Sequence, residues 1–178
     1  MNMIGLEKYN HSEQDSWTWG LAKLEDVADI VAMAQQYFQI EVEGVFTPDP
    51  FKYTKHVTMA VVEQAFDASK CQLIVAREKQ TNRLLSYSWL NRGHWMMYAP
   101  EECAEASFVH MDMTLPARQR IMLLAQILHQ WQLWCHVCGI PVLVSTTIRE
   151  DQKGFIRLHE EAGFSVRGSF AFKKIQLT

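Results

Sequence analysis

The stretch FVHMDMTLPARQRIMLLAQIL, residues 108–128, changes its hydrophobic period at Pro116, and that change decides the fold. In the run ASFVHMDMTLP (106–116), Val109, Met111, Met113 and Leu115 fall on one side of an extended strand, with His110, Asp112 and Thr114 on the other. The first side reads as core, and the second is polar enough to carry chemistry. Beyond Pro116 the spacing becomes helical. Ile121, Leu124, Leu128, Trp131, Cys135 and Cys138 form one stripe, and Leu123, Ile127 and Trp134 widen it. Gly139 and Pro141 stop the helix. A long helix that is apolar nearly all round and follows directly on a strand is expected to lie buried against a sheet.

The flanking segments alternate in the same way. WTWGL (17–21) reads as a short strand, and LEDVADIVAMAQQYF (24–38) places Leu24, Val27, Ile30, Val31, Ala34 and Phe38 on one helical face. Its acids Glu25, Asp26 and Asp29 sit at the positive end of the helix dipole. Asp49 can cap a second helix and Pro50 can take its first position, with Tyr53, Val57, Ala60, Val61 and Gln64 recurring on one side as far as Phe66. CQLIVARE (71–78) and LLSYSWLN (84–91) form a hairpin turning near Thr81 and Asn82. Downstream, VLVSTTI (142–148) is a buried strand and QKGFIRLHEEA (152–162) a short helix ended by Gly163. FSVRGSFAFKKI (164–175) is a closing hairpin with Gly168 in its turn. The pattern predicts a single α/β domain over 16–178, preceded by a polar arm over 1–15.

Composition narrows the function classes. A chain of 178 residues, 48% hydrophobic and 21% charged, is enough for one domain with a substantial core. Its 17 basic and 20 acidic residues give a net charge of −3, which argues against a general nucleic-acid or anionic-membrane surface. A local basic pocket is still allowed, and Arg118 and Arg120 stand in a suitable place. MNMIGLEKYNHSEQD lacks the basic start and apolar run of a secretory signal, and no run of about 18 apolar residues follows, so a cytoplasmic protein is expected. Cys71, Cys103, Cys135 and Cys138 are too few for a disulfide framework. CHVC (135–138) has the spacing of a zinc half-site, but on a helix both thiols would pack as small apolar groups, and no metal site is predicted.

Two segments resemble the GCN5-related N-acetyltransferase superfamily. FVHMDMTLPARQRIMLLAQIL is similar to that family's strand, proline-containing turn and long helix, and DQKGFIRLHEEAGF (151–164) is similar to its last helix, with Gly163 and Phe164 at the usual Gly-Phe. Asp151 stands near the family's Asn, and His159 at its Tyr. The resemblance implies a mixed central sheet flanked by helices. It also implies acetyl-CoA as co-substrate, the pantetheine arm lying like an extra strand between splayed strands and the pyrophosphate resting on the next helix's N-terminus. The pyrophosphate turn would then span Arg118, Gln119, Arg120, Ile121, Met122, Leu123 and Leu124, following Met113, Thr114 and Leu115. The family has small residues where Met122 and Leu124 stand, so these two side chains are expected to compete with phosphate for space. Arg118 and Arg120 would offset this with charge-assisted contacts.

Acyl transfer to an amine needs a neutral nucleophile, a polarised thioester carbonyl and a proton for the departing thiolate. By the resemblance, backbone N–H groups near Met113 and Thr114, where the family's strand bulges, would polarise the carbonyl. His110 is the first candidate base because an ordinary histidine titrates near pH ~6.5; Asp112 and, at the strand's entrance, Glu105 are alternatives. His159 would be the acid. The acceptor, a small-molecule or protein amine, would meet the connection EVEGVFTPDP (41–50), whose Glu41 and Glu43 suit a cation, the loop GHWMMYAP (93–100) and the closing hairpin. His110, Asp112 and His159, with Arg167, also match the letters of a facial iron triad, but such sites belong to all-β folds. The other alternative is a non-catalytic binding or structural protein of the same fold, as in bacteriophage virion components, with a protein partner in place of the cofactor.

Overall fold

The computed structural model describes residues 16–41, 46–147 and 153–168. Strand β1 (Trp17–Leu21) is followed by a 3-10 turn (Leu24–Asp26), helices α1 (Val27–Glu41) and α2 (Pro50–Phe66), and strands β2 (Cys71–Glu78), β3 (Leu84–Trp95) and β4 (Glu102–Met111). Helix α3 (Ala117–Cys138), strand β5 (Val142–Val144) and helix α4 (Lys153–Glu161) complete the described order. The sheet runs β1-β2-β3-β4-β5, antiparallel except for the parallel β4–β5 pair.

Local chemistry accounts for the element ends. Asp49 accepts the Lys52 N–H at 2.9 Å with Pro50 in the first helical turn, as the sequence predicts. Asn82 turns the β2–β3 hairpin at φ +59°, and Gly139 ends α3 at φ +69°. The edges of other elements moved. β3 runs on to Trp95 and β4 begins at Glu102, so of the aromatic loop only residues 96–100 lie between the strands; β5 is three residues long, and Ser145–Thr147 are not strand. The closing hairpin falls largely outside the described residues, and residues 164–168 form neither helix nor strand.

Helices α1 and α2 cover one face of the sheet, where Ile30, Ala34, Tyr37, Val57, Leu73 and Tyr87 are buried together. Helices α3 and α4 cover the other, with Leu90, Ala104, Ile127, Leu128, Trp131 and Leu158. Each of the buried Ile, Leu and Val side chains among them contributes about 1.5–3 kcal/mol by leaving water. Tryptophans tie α3 to the sheet by their one polar atom: Trp131 Nε1 donates to Ser88 Oγ at 2.6 Å, and Trp17 and Trp19 both donate to Gln126 Oε1 at 2.9 and 2.7 Å. Cys135 and Cys138 pack into this layer as small apolar groups, and burial pushes the Cys135 thiol up to about 11. Four expected core residues lie outside: Leu24 is exposed ahead of α1, Met113 in the turn after β4 and Val142 on β5, and Ile121 is exposed on α3 while its neighbour Met122 is buried.

The faces of β4 differ from the simple alternation. Ala106 pairs with Leu90 and Phe108 with Trp89, so Ser107 is an extra residue, a bulge. Before it, Ala104 and Ala106 face α3; after it, Phe108 and His110 lie against α1 and α2, while Val109 packs on the α3 side. The His110 side of the strand is therefore buried, and Met113 and Thr114 lie beyond the strand in an exposed turn.

Candidate functional site

The β4–β5 ladder consists of Cys103–Val142, Ala104–Leu143 and Glu105–Val144, and it stops there. Among the described residues, β4 from Ala106 to Met111 has no strand partner on its β5 side, an open edge of about 20 Å at the usual rise of ~3.3 Å per residue. Backbone N–H and C=O groups along such an edge seek partners. The edge leads through the turn at residues 112–116 to the N-terminus of α3.

That N-terminus is bare. Arg120 N–H is the first to bond within the helix, to Pro116 O at 3.1 Å; Pro116 offers no side-chain cap, and the first turn holds no acid. A helix of 22 residues thus presents its positive end, with Arg118 exposed beside it. Met122 does not compete for this space: it is 3% exposed and packs with Trp17, Ala76, Leu85, Leu115 and Leu123. Leu124 turns into the α3 core layer. Gln119 and Arg120 are partly exposed and Ile121 is exposed. Arg120 Nη1 reaches Met113 Sδ at 3.4 Å, but its Nε is buried without a partner among the described residues. An orphaned guanidinium N–H beside uncapped backbone N–H groups fits an anion.

The opposite face of β4 carries a polar chain through the aromatic core. Tyr53 and Tyr87 hydroxyls are 2.8 Å apart, Tyr87 Oη lies 2.5 Å from His110 Nδ1, and His110 Nε2 lies 3.2 Å from Glu41 Oε2. Its direction follows from Glu41, since a carboxylate only accepts. Nε2 then donates to Glu41, Nδ1 accepts from Tyr87, and Tyr87 accepts from Tyr53. Burial pushes both tyrosines well above the ordinary range, keeping their hydroxyls protonated. Tyr37 stacks on the His110 ring at 4.3 Å and 8°, which fixes the imidazole plane. His110 is 2% exposed and the Glu41 side chain 10%, so Glu41 is the end of the chain nearer the surface.

The sequence matches no family model and no curated protein, but solved structures share its fold. The aminoglycoside 6'-N-acetyltransferase of Acinetobacter haemolyticus superposes with a TM-score of 0.63 at 10% identity, over 90% of this chain and 99% of that one. Ribosomal-protein-alanine N-acetyltransferase from Brucella melitensis biovar Abortus 2308 gives 0.59 at 14% identity over 91% and 99%. AAC(6')-Iy, solved with the bisubstrate analogue CoA-S-monomethyl-acetylneamine, gives 0.62 at 13% identity over 90% and 99%. The fold is that of the GCN5-related N-acetyltransferases.

Within this acetyltransferase fold the predicted site residues fall into separate groups. Asp112 is built into the turn after β4: its carboxylate accepts Thr114 N–H at 2.8 Å and Thr114 Oγ1 at 2.6 Å, and it pairs with Arg83. The Thr114 N–H expected at a thioester carbonyl is thereby used, Leu115 N–H bonds Asp112 O at 3.2 Å, and Leu115 is buried. The bulge lies at Ser107, not at Met113 and Thr114. Glu105 sits at the ladder's end with His94 Nδ1 at 3.2 Å. Asp151 and Glu43 lie outside the described residues. Glu41, expected in a solvated loop, is the last residue of α1 and a partner of His110. No group of three metal-ligating side chains occurs among the described residues, and none of their helices is long and apolar enough to cross a membrane.

His159 is on the other side of the sheet from His110 and shares no partner with it among the described residues. It is 1% exposed, between Phe155 and Phe164, with Nδ1 2.8 Å from Phe155 O and Nε2 3.0 Å from Ser145 Oγ. Burial holds its pKa below the ordinary histidine value, only partly opposed by the Phe155 hydrogen bond. A ring kept neutral, its one N–H bound to a carbonyl, is a poor proton donor. Because the folded value is depressed, the unfolded chain takes up the proton first. The stability His159 contributes is present above pH ~6.5 and lost as pH falls through its folded value. Chemical unfolding of wild type and His159→Gln should therefore show a stability difference that narrows below pH ~6.5; a constant difference would place the histidine in an unshifted environment.

Proposed function

We propose that the protein is an acyl-CoA-dependent N-acyltransferase that moves an acetyl group from the thioester to an amine. The observation that carries the reading is the open edge of β4 running into the uncapped α3 N-terminus, with Met122 and Leu124 turned away into the core. Acetyl-CoA would supply the activated thioester. The α3 N–H groups, Arg118 and Arg120 would hold its pyrophosphate, and the Ala106–Met111 edge would bond its pantetheine amides as a neighbouring strand would. The bulge leaves backbone groups at Ser107 outside the β3–β4 ladder, within the open stretch, where an N–H could polarise the carbonyl.

On the acceptor side the burial of His110 shifts the first proton-accepting role to Glu41. The carboxylate suits an ammonium group, and His110, oriented by Tyr87 and Tyr37, positions it through the Nε2–H bond. The amine would lose its proton to Glu41 before attacking the carbonyl carbon. The solved neighbours act on an aminoglycoside in one case and on a ribosomal protein's alanine in another, so a small-molecule and a protein amine are both within the reach of the fold.

Thermal unfolding with acetyl-CoA, CoA and an adenine nucleotide tests the cofactor half. At about 100 times the dissociation constant a ligand adds ~2.7 kcal/mol, or several degrees at ~2–4 °C per kcal/mol. The rise should occur with both CoA species and shrink in Arg120→Ala. No rise at millimolar ligand would remove the reading. In an acyl-transfer assay that follows thiol release, Glu41→Gln should lower kcat by ~100-fold or more with the CoA-induced rise intact. Unchanged kcat would return the proton to another group.

A further inference from the structure

The face of β3 and β4 that carries His110 continues outward past it, and proton transfer to Glu41 uses only its inner end. Directly paired residues of antiparallel strands share a face, and so do residues two apart on one strand. Tyr87 with His110, Trp89 with Phe108 and Asn91 with Glu105 therefore make three successive rows on that side. Side-chain contacts join them: the Trp89 and Phe108 rings are 6.2 Å apart, Trp89 Nε1 donates to Asn91 Oδ1 at 2.9 Å, and Asn91 Nδ2 donates to Ser107 Oγ at 2.7 Å. Burial falls along the series. Tyr87 and His110 are buried, Trp89 and Phe108 are half-buried, and the Glu105 side chain is 41% exposed. Asn91 also lines an open cavity of ≈ 670 Å³, so the rows lead outward.

Each end of the series holds a carboxylate. Glu41 Oε2 lies 3.2 Å from His110 Nε2 at the inner row, and Glu105 Oε2 lies 3.2 Å from His94 Nδ1 at the outer row. No hydrogen bond occupies Glu105 Oε1 among the described residues. The step from Tyr87 to Asn91 is about 13 Å at ~3.3 Å per residue. Between the two carboxylates stand aromatic rings, Trp89, Phe108 and Phe38, the last with its centroid 6.0 Å from that of Phe108. Such faces attract cations and accept methylene groups. Of the cations on the cavity wall, Arg92 is bound to Glu102 through Nε and Nη2, both at 2.7 Å, and Lys70 is matched by Glu63.

We propose that Glu105, with Asn91 and Ser107, is a second cation subsite, and that the acceptor is a linear diamine whose nitrogens stand roughly 10–13 Å apart. The proposal rests on the acyl-CoA reading for the reaction at Glu41, and not for the binding of the far nitrogen. At the inner end the ammonium gives one proton to Glu41; its nitrogen bonds the acetyl carbon, the carbon–sulfur bond breaks, and the thiolate leaves with the second nitrogen proton. The far nitrogen stays charged at Glu105, where Asn91 Oδ1 and Ser107 Oγ keep lone pairs to accept from it. The hydrocarbon between the nitrogens lies on Trp89 and Phe108.

Calorimetric titration of the full chain with octamethylenediamine, octylamine and ethylenediamine tests this, because the second probe keeps the length without the far charge and the third keeps both charges without the length. Octamethylenediamine should bind about 10-fold tighter than either of the others, the worth of one charge-assisted hydrogen bond. In Glu105→Gln, checked for folding by its unfolding midpoint, the preference over octylamine should disappear. With acetyl-CoA added, the product mass should show a single acetyl group on the diamine. Octamethylenediamine binding no better than octylamine or ethylenediamine, or a preference that survives Glu105→Gln, would overturn the second subsite, and a midpoint that still rises with CoA would leave acyl transfer to another amine in place. A preference lost in Glu105→Gln without any rise with CoA species would keep the subsite and remove its thioester donor.

Discussion

The structure depends on where the β4–β5 ladder ends. Three residue pairs hold the strands together at Cys103–Glu105 and Val142–Val144, and beyond them, among the described residues, β4 runs on to Met111 without a strand on its β5 side. A sheet interior normally satisfies its backbone groups by pairing. Here, among the described residues, the continuation of β4 pairs with β3 on one side and keeps the other side free. The rest of the molecule supports that opening: α1 and α2 brace one face, α3 and α4 the other, and the tryptophans of β1 and α3 lock the layers by single hydrogen bonds. The opening points to the bare N-terminus of the longest helix, so an extended ligand with an anionic end has both of its requirements met in one line.

The bulge at Ser107 is the second constraint. One extra residue reverses the facing of every side chain after it, so Phe108 and His110 leave the α3 layer and enter the aromatic layer under α1 and α2. That places His110 between Tyr87 and Glu41 and makes a directed chain of hydrogen bonds out of four groups separated in sequence by as many as 69 residues. Each hydroxyl in the chain is buried and must be partnered, so its order is set by the one member that can only accept.

Much of this was legible in the sequence. The switch of period at Pro116, the stop at Gly139 and the Asp49–Pro50 start are local signals, and the structure follows them because each is satisfied within a turn of its own residue. The α/β architecture followed from the order of such signals. What failed was non-local. The alternation through 106–116 assumed an unbroken period of two, and nothing in ASFVHMD announces a bulge; the pairing of β3 creates it. Ile121 and Met122 are adjacent and both apolar, so the choice of which one faces the core depends on how the helix sits on β1 and β3. In sequence Glu41 reads as a loop acid because its partner lies in another element, and Ser145 reads as one residue of a longer strand because VLVSTTI has β-rich composition to its end.

Amide hydrogen exchange with and without acetyl-CoA tests the central claim most directly, because it reads the open edge itself. If the gap and the α3 N-terminus form one binding line, saturating ligand should slow exchange at residues 106–111 and 117–119 together and leave the outer face of α2 unchanged. Unchanged exchange along β4, or protection confined to surfaces away from it, would contradict the account.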